Sequence, residues 1–137
     1  MIRVGQIVVR EFTVDHEAMR VFRHLSQDTS RIHCDRAFAQ ARGFRDEIVY
    51  GGIMLAQLSG ALGTQLPGTN GTSTKWTINY RGPLYVGERA KLTLKVENIS
   101  EATCIVDLKF RIEAGDRLVA AGTAQSIVPQ EDLVIAS

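Results

Sequence analysis

Asp28 and His33 stand five positions apart, and a double glycine, Gly51-Gly52, follows them and opens a strongly apolar segment. A carboxylate can hold an imidazole in one tautomer, an imidazole exchanges a proton near neutral pH, and N–H groups at a helix start can receive a developing oxyanion. Together these residue types make a proton-transfer site with a place for negative charge on oxygen. Five positions are about 500° around a helix and opposite faces of a strand, so no regular element converges the two side chains. The connection after Ser26 must therefore be irregular. His33-Cys34-Asp35 is a poor metal site, because consecutive side chains diverge and no further Cys or His completes a ligand set, so no metal is expected. His16 and His24 lack partners of this kind and read as structural or exposed.

The elements that must position these residues are legible in the pattern. Gln6 to Phe12 reads as a β-strand. Asp15 is an N-cap candidate for a helix ending near Ser26, with Ala18, Phe22 and Leu25 on its apolar face. A short helix from about Asp35 to Arg42 would turn Ala37, Phe38 and Ala41 inward and end at Gly43. Ile53 to Leu66 is apolar almost all round, too short for a bilayer, and so predicts a helix wrapped by this chain's sheet or a partner's. In a helix starting near Gly52, Ser59 returns after about 700° to nearly the same side, roughly 10 Å along the axis, where both could line one slot. Back-bonding of its hydroxyl to a helical carbonyl is the alternative.

The second half changes period to 2. Trp76, Ile78 and Tyr80 alternate with polar residues, as do Leu92, Leu94 and Val96, then Cys104 to Ile112, and Leu118 to Val128 after a Gly115-Asp116 turn. These segments predict a meander of four antiparallel strands. Strand, small helices, buried helix and meander describe one α+β domain over residues 1–137, its antiparallel sheet curled around the central helix in the element order of a hotdog fold. The helix offers more apolar surface than such a sheet covers, which implies a homodimer joined edge to edge or a dimer of dimers.

Composition excludes several classes. The 137 residues carry a formal charge of +1, with 45% hydrophobic and 23% charged residues, so no net field attracts nucleic acid or an anionic membrane. The two cysteines lack metal or disulfide spacing, and the N-terminus lacks a signal-peptide core. A cytoplasmic protein is expected.

The segment DTSRIH, Asp28 to His33, with Ala39 beyond it, resembles the D-x-N-P-x-H motif of the MaoC-like and (R)-specific enoyl-CoA hydratases. Asp28 falls on the family's catalytic aspartate and His33 on its catalytic histidine. Ser30 stands where the family has asparagine, and Arg31 where it has proline. Ile48-Val49-Tyr50-Gly51 corresponds to the family's I-x-H-G, with Tyr50 in place of histidine, and Ser59 falls where the family carries a serine near the active site. The resemblance continues through Leu62–Gly68 and Trp76–Leu84. Without proline's fixed φ at Arg31, a looser turn is expected.

The resemblance implies a lyase that reversibly hydrates 2-enoyl thioesters or dehydrates (R)-3-hydroxyacyl thioesters. Asp28 and His33 would bind the water, and Gly51 would hold the thioester oxygen. Gly52, Ser59, Ser30 and Tyr50 would line the oxyanion and substrate site, and no cofactor is needed beyond the coenzyme A or phosphopantetheine of the substrate. Arg31 and Arg36 are candidates for contacts with coenzyme A phosphates, although such residues are often a solvated face. The substrate's carrier would be coenzyme A or acyl carrier protein, and a hotdog thioesterase and a non-catalytic module that binds acyl thioesters remain as alternatives.

Overall fold

The computed structural model describes residues 1–134, so the last three residues of the expected 1–137 domain lie outside it. Its elements are β1 (Ile7–Thr13), α1 (His16–Ser26), α2 (Arg31–Cys34), α3 (Arg36–Ala41), α4 (Gly51–Thr64), β2 (Thr72–Tyr80), β3 (Arg89–Ser100), β4 (Ile105–Ala114) and β5 (Arg117–Ile127). One five-stranded antiparallel sheet runs in the order β1-β3-β4-β5-β2. The α+β class and the sheet packed on a central helix are as expected.

The four-strand meander is not. Only β3, β4 and β5 follow one another in space, while β2 pairs with β5 on the far side and β1 pairs with β3. Alternation tells which side chains face inward but not which strand is the neighbour. The Arg81–Glu88 segment crosses the domain instead of turning back: Arg81 N–H bonds to Val119 O at 2.8 Å, and Val49 N–H bonds to Leu84 O at 2.8 Å. As the sheet's edge, β2 has one neighbour, and its expected inward residues Trp76 and Tyr80 stay 39% and 49% exposed.

The core is built from cross-strand pairs on one face, Leu92 with Ile112, Leu94 with Phe110, and Val96 with Leu108, all buried. Against them α4 presents Ile53, Met54, Leu58, Ala61 and Leu62. Its opposite side, with Ala56, Ser59 and Gly63, is exposed in the single chain. The helix starts at Gly51, one residue before the start near Gly52 that the sequence suggests.

Two helix faces differ from the sequence reading. In α1 the inward residue is Met19, with Phe22 half-buried, and Leu25 is 80% exposed; Leu25 stands about 120° from Met19 around the axis. In α3 the buried residue is Ala39, while Ala37 and Ala41 face solvent. The half-buried Phe38 ring is covered instead by the Arg31 and Arg42 guanidiniums, each 4.5 Å from its centroid. The expected caps are present: Asp15 accepts from Ala18 N–H at 2.8 Å, Asp35 accepts from Phe38 N–H at 3.0 Å, and Gly43 takes φ 92°.

Gly122 in β5 is required by close approach: a Cβ there would stand 1.9 Å from the Thr77 carbonyl oxygen of β2. That atom is backbone and can yield only by opening the β2–β5 pairing. Gly122→Ala is expected to cost about 2 kcal/mol, read as a lower denaturant midpoint. An unchanged midpoint would show that the two strands separate more freely than their packing implies.

Candidate active site

Beyond α1, Gln27 takes a left-handed conformation (φ 58°) and its N–H closes on Arg23 O. The chain then folds into a short turn closed by a side chain. Asp28 Oδ1 accepts from the Ser30 N–H at 2.9 Å and from the Ser30 hydroxyl at 2.6 Å. The hydroxyl bond, then the N–H bond, holds the Asp28 carboxyl below the ordinary aspartate range; burial opposes them and the nearby His33 adds to them. Asp28 is therefore a carboxylate at neutral pH.

From Ser30 the one-turn helix α2 begins, and His33 N–H bonds to Ser30 O at 3.0 Å. This turn supplies the irregular connection that the Asp28–His33 spacing requires. His33 Nδ1 lies 2.8 Å from Ile48 O. A carbonyl only accepts, so Nδ1 carries the proton, and in the neutral ring Nε2 presents a lone pair. An imidazole fixed in this way is a base whose reactive nitrogen has been chosen by the backbone.

Tyr50 locks the two halves together. Its ring stacks on His33 with centroids 4.2 Å apart and meets Phe22 at 4.8 Å. Its hydroxyl donates to Asp28 O at 2.6 Å and accepts from Arg23 Nε at 3.0 Å. Arg23 Nη2 reaches His33 O at 3.5 Å, and Cys34 Sγ lies 3.5 Å from the same hydroxyl. Burial raises the Tyr50 pKa, so the phenol remains a donor, and the Tyr50 bond raises that of Arg23. The looser turn expected from Arg31 does not occur. Ser30 closes it from one side, Tyr50 and Arg23 close it from the other, and Arg31 itself pairs with Asp35 at 3.0 Å.

Both glycines at the start of α4 answer to packing. A Cβ on Gly52 would stand 2.3 Å from the tip of the Phe22 ring, and one on Gly51 would stand 2.6 Å from the Tyr80 phenol. As the first residue of α4, Gly51 has an N–H without an intrahelical acceptor, at the positive end of the helix dipole. A cavity of about 540 Å³ opens here, lined by His33, Ile48, Gly51, Met54, Tyr80 and Leu84 among others. Imidazole, helix start and an apolar wall meet in it. A second depression, about 460 Å³, lies on the sheet face that carries Thr93, Lys95, Lys109 and Arg111, without an acid–imidazole pair.

Of the residues expected from sequence, His33 and Gly51 line the cavity, and Asp28 is held beside His33 without lining it. The expected substrate contacts of Ser30 and Tyr50 give way to another job, since their polar atoms hold the Asp28 turn. Tyr50 is 1% exposed. Gly52 faces Phe22, and Ser59, seven residues on, shares the azimuth of Gly52 rather than that of Gly51, so it too misses the cavity and is exposed. Arg31 and Arg36 point to solvent, paired with Asp35 and Asp46. Sequence reasoning missed Arg23 and Tyr80. Nothing in their local pattern marks them, because both act across the fold.

An (R)-specific enoyl-CoA hydratase of Aeromonas caviae is 32% identical over 109 residues, covering 79% of this chain and 81% of its own. One of Rhodospirillum rubrum is 25% identical over 128 residues, covering 93% and 89%. The solved (R)-hydratase of A. caviae superimposes with a TM-score of 0.88 at 29% identity, covering 93% of this chain and 98% of that one. Residues 4–114 match the MaoC like domain, and the chain belongs to that family.

Proposed function

We propose that the protein is a hydro-lyase that adds water across the 2,3 double bond of 2-enoyl thioesters and runs in reverse on (R)-3-hydroxyacyl thioesters. The observation that carries the reading is the His33 ring, its Nδ1–H fixed on Ile48 O, on an apolar cavity beside the start of α4 and close to the ionised Asp28. Relatives named as enoyl-CoA hydratases and as a 3-hydroxybutyryl-CoA dehydratase support it.

In the forward direction Asp28 orients a water and His33 Nε2 takes its proton as the oxygen bonds to C3. The π electrons move toward C2 and the thioester oxygen, where the Gly51 N–H holds the negative charge. The imidazolium then returns a proton to C2, and the base is restored. Every step uses groups of this chain and the substrate, without a further cofactor. The acyl chain occupies the apolar cavity. Arg81 on its rim, with the solvent-facing Arg31 and Arg36, suits the phosphates of coenzyme A or of an acyl carrier protein's pantetheine.

The reading includes a homodimer, supported by the open β2 edge and the exposed side of α4, and a cytoplasmic location, supported by two unpaired cysteines. Purified protein is expected to bleach the conjugated-thioester absorbance of crotonyl-CoA and form (R)-3-hydroxybutyryl-CoA with no thiol released. Stoichiometric thiol would indicate a thioesterase instead, and saturable binding without either change a non-catalytic module.

A further inference from the structure

We infer that the Tyr80 hydroxyl is a second donor to the thioester oxygen, working beside the Gly51 N–H; the inference rests on the hydratase reading of the same cavity.

Tyr80 is the last residue of β2 and is paired with Ala120 of β5, so its backbone is set by the sheet rather than by a loop. Its side chain reaches across to the start of α4. The hydroxyl oxygen and Cζ both lie 2.6 Å from the point a Gly51 Cβ would occupy. The hydroxyl and the Gly51 nitrogen are therefore at most about 5 Å apart, and one oxygen placed between them can accept from both. Both residues line the cavity that holds His33. Glycine at position 51 is thus what lets the phenol approach the helix start.

Among the described residues no hydrogen-bond partner engages this hydroxyl. Burial alone raises the Tyr80 pKa, with no hydrogen-bonded partner contributing, so the group stays protonated across the working pH range. Tyr50, by contrast, has its hydroxyl engaged on both sides. A donor aimed where charge develops strengthens in the transition state, and so acts on kcat more than on KM.

Tyr80→Phe keeps the ring over Gly51 and removes only the donor. It is expected to lower kcat for crotonyl-CoA hydration by about 100-fold with little change in KM. A second readout needs no turnover. Acetoacetyl-CoA bound to the wild type should be held partly as its enolate, seen by absorbance, and Tyr80→Phe should lose most of that signal. An unchanged kcat in Tyr80→Phe, a rise confined to KM, or an enolate signal that is equal in both proteins or absent from the wild type would overturn the assignment. A wild type that holds the enolate yet never hydrates crotonyl-CoA would instead end the hydratase reading and leave the Tyr80 donor standing.

Discussion

His33→Ala and Asp28→Asn are each expected to lower kcat for enoyl-thioester hydration by about 10³-fold or more, with circular dichroism at the assay temperature showing that the fold persists. The size follows from general acid–base chemistry, which supplies roughly 10²–10⁴-fold per positioned group. His33→Ala removes the ring fixed on Ile48 O, along with its Nε2. Asp28→Asn keeps the side-chain shape and an oxygen for the Ser30 bonds but removes the charge to which the proposed mechanism gives the orienting of water. The double variant should be little worse than either single one, because the two groups serve one proton transfer. Undiminished turnover in either variant would remove the acid–base pair.

The pH dependence carries a sign that can be checked. Asp28 has a depressed carboxyl pKa in the folded protein, so its ionised form is present above the ordinary aspartate value and is lost only as the pH falls through the lower, folded value. Activity that disappears on acidification well above about pH 4 therefore reports another group. A limb in that region should persist in Asp28→Asn if enough rate remains to measure it.

Much of the fold was legible because its signals are local. The capping aspartates Asp15 and Asp35, the turn at Gly115-Asp116 and the alternation of Leu92, Leu94 and Val96 each act within a few residues. What was not legible depends on distance through space. Period-2 patterning could not say that β2 lies beside β5, and 3.6 periodicity could not choose Met19 over Leu25 as the inward residue. Ser59 illustrates the same limit within the site. It shares the azimuth of Gly52, as the helical repeat requires, but the cavity opens on the side of Gly51, and Gly52 is covered by Phe22. The pairing of Arg23 with Tyr50, 27 positions apart, has no trace in either local pattern.

That pairing carries the second large effect. Tyr50→Ala is expected to cost about 3–5 kcal/mol of stability, because it removes a buried ring packed on His33 and Phe22 and leaves a cavity. Tyr50→Phe separates packing from positioning. The ring and its stacking on His33 remain, while Asp28 O and Arg23 Nε lose their shared partner, a change worth roughly 1–3 kcal/mol. If the hydroxyl serves the reaction by holding the Asp28 turn, Tyr50→Phe should lower kcat by about 10-fold at a temperature where it is fully folded, with KM nearly unchanged. In an Asp28→Asn background the same substitution should lower stability but leave the residual kcat alone, since the group it positions has already lost its charge. Arg23→Lys keeps the charge but offers no guanidinium fork to span Tyr50 Oη and His33 O, and should reproduce part of the loss. Full additivity of Tyr50→Phe with Asp28→Asn in kcat would mean that Tyr50 acts on the rate by a route other than this turn.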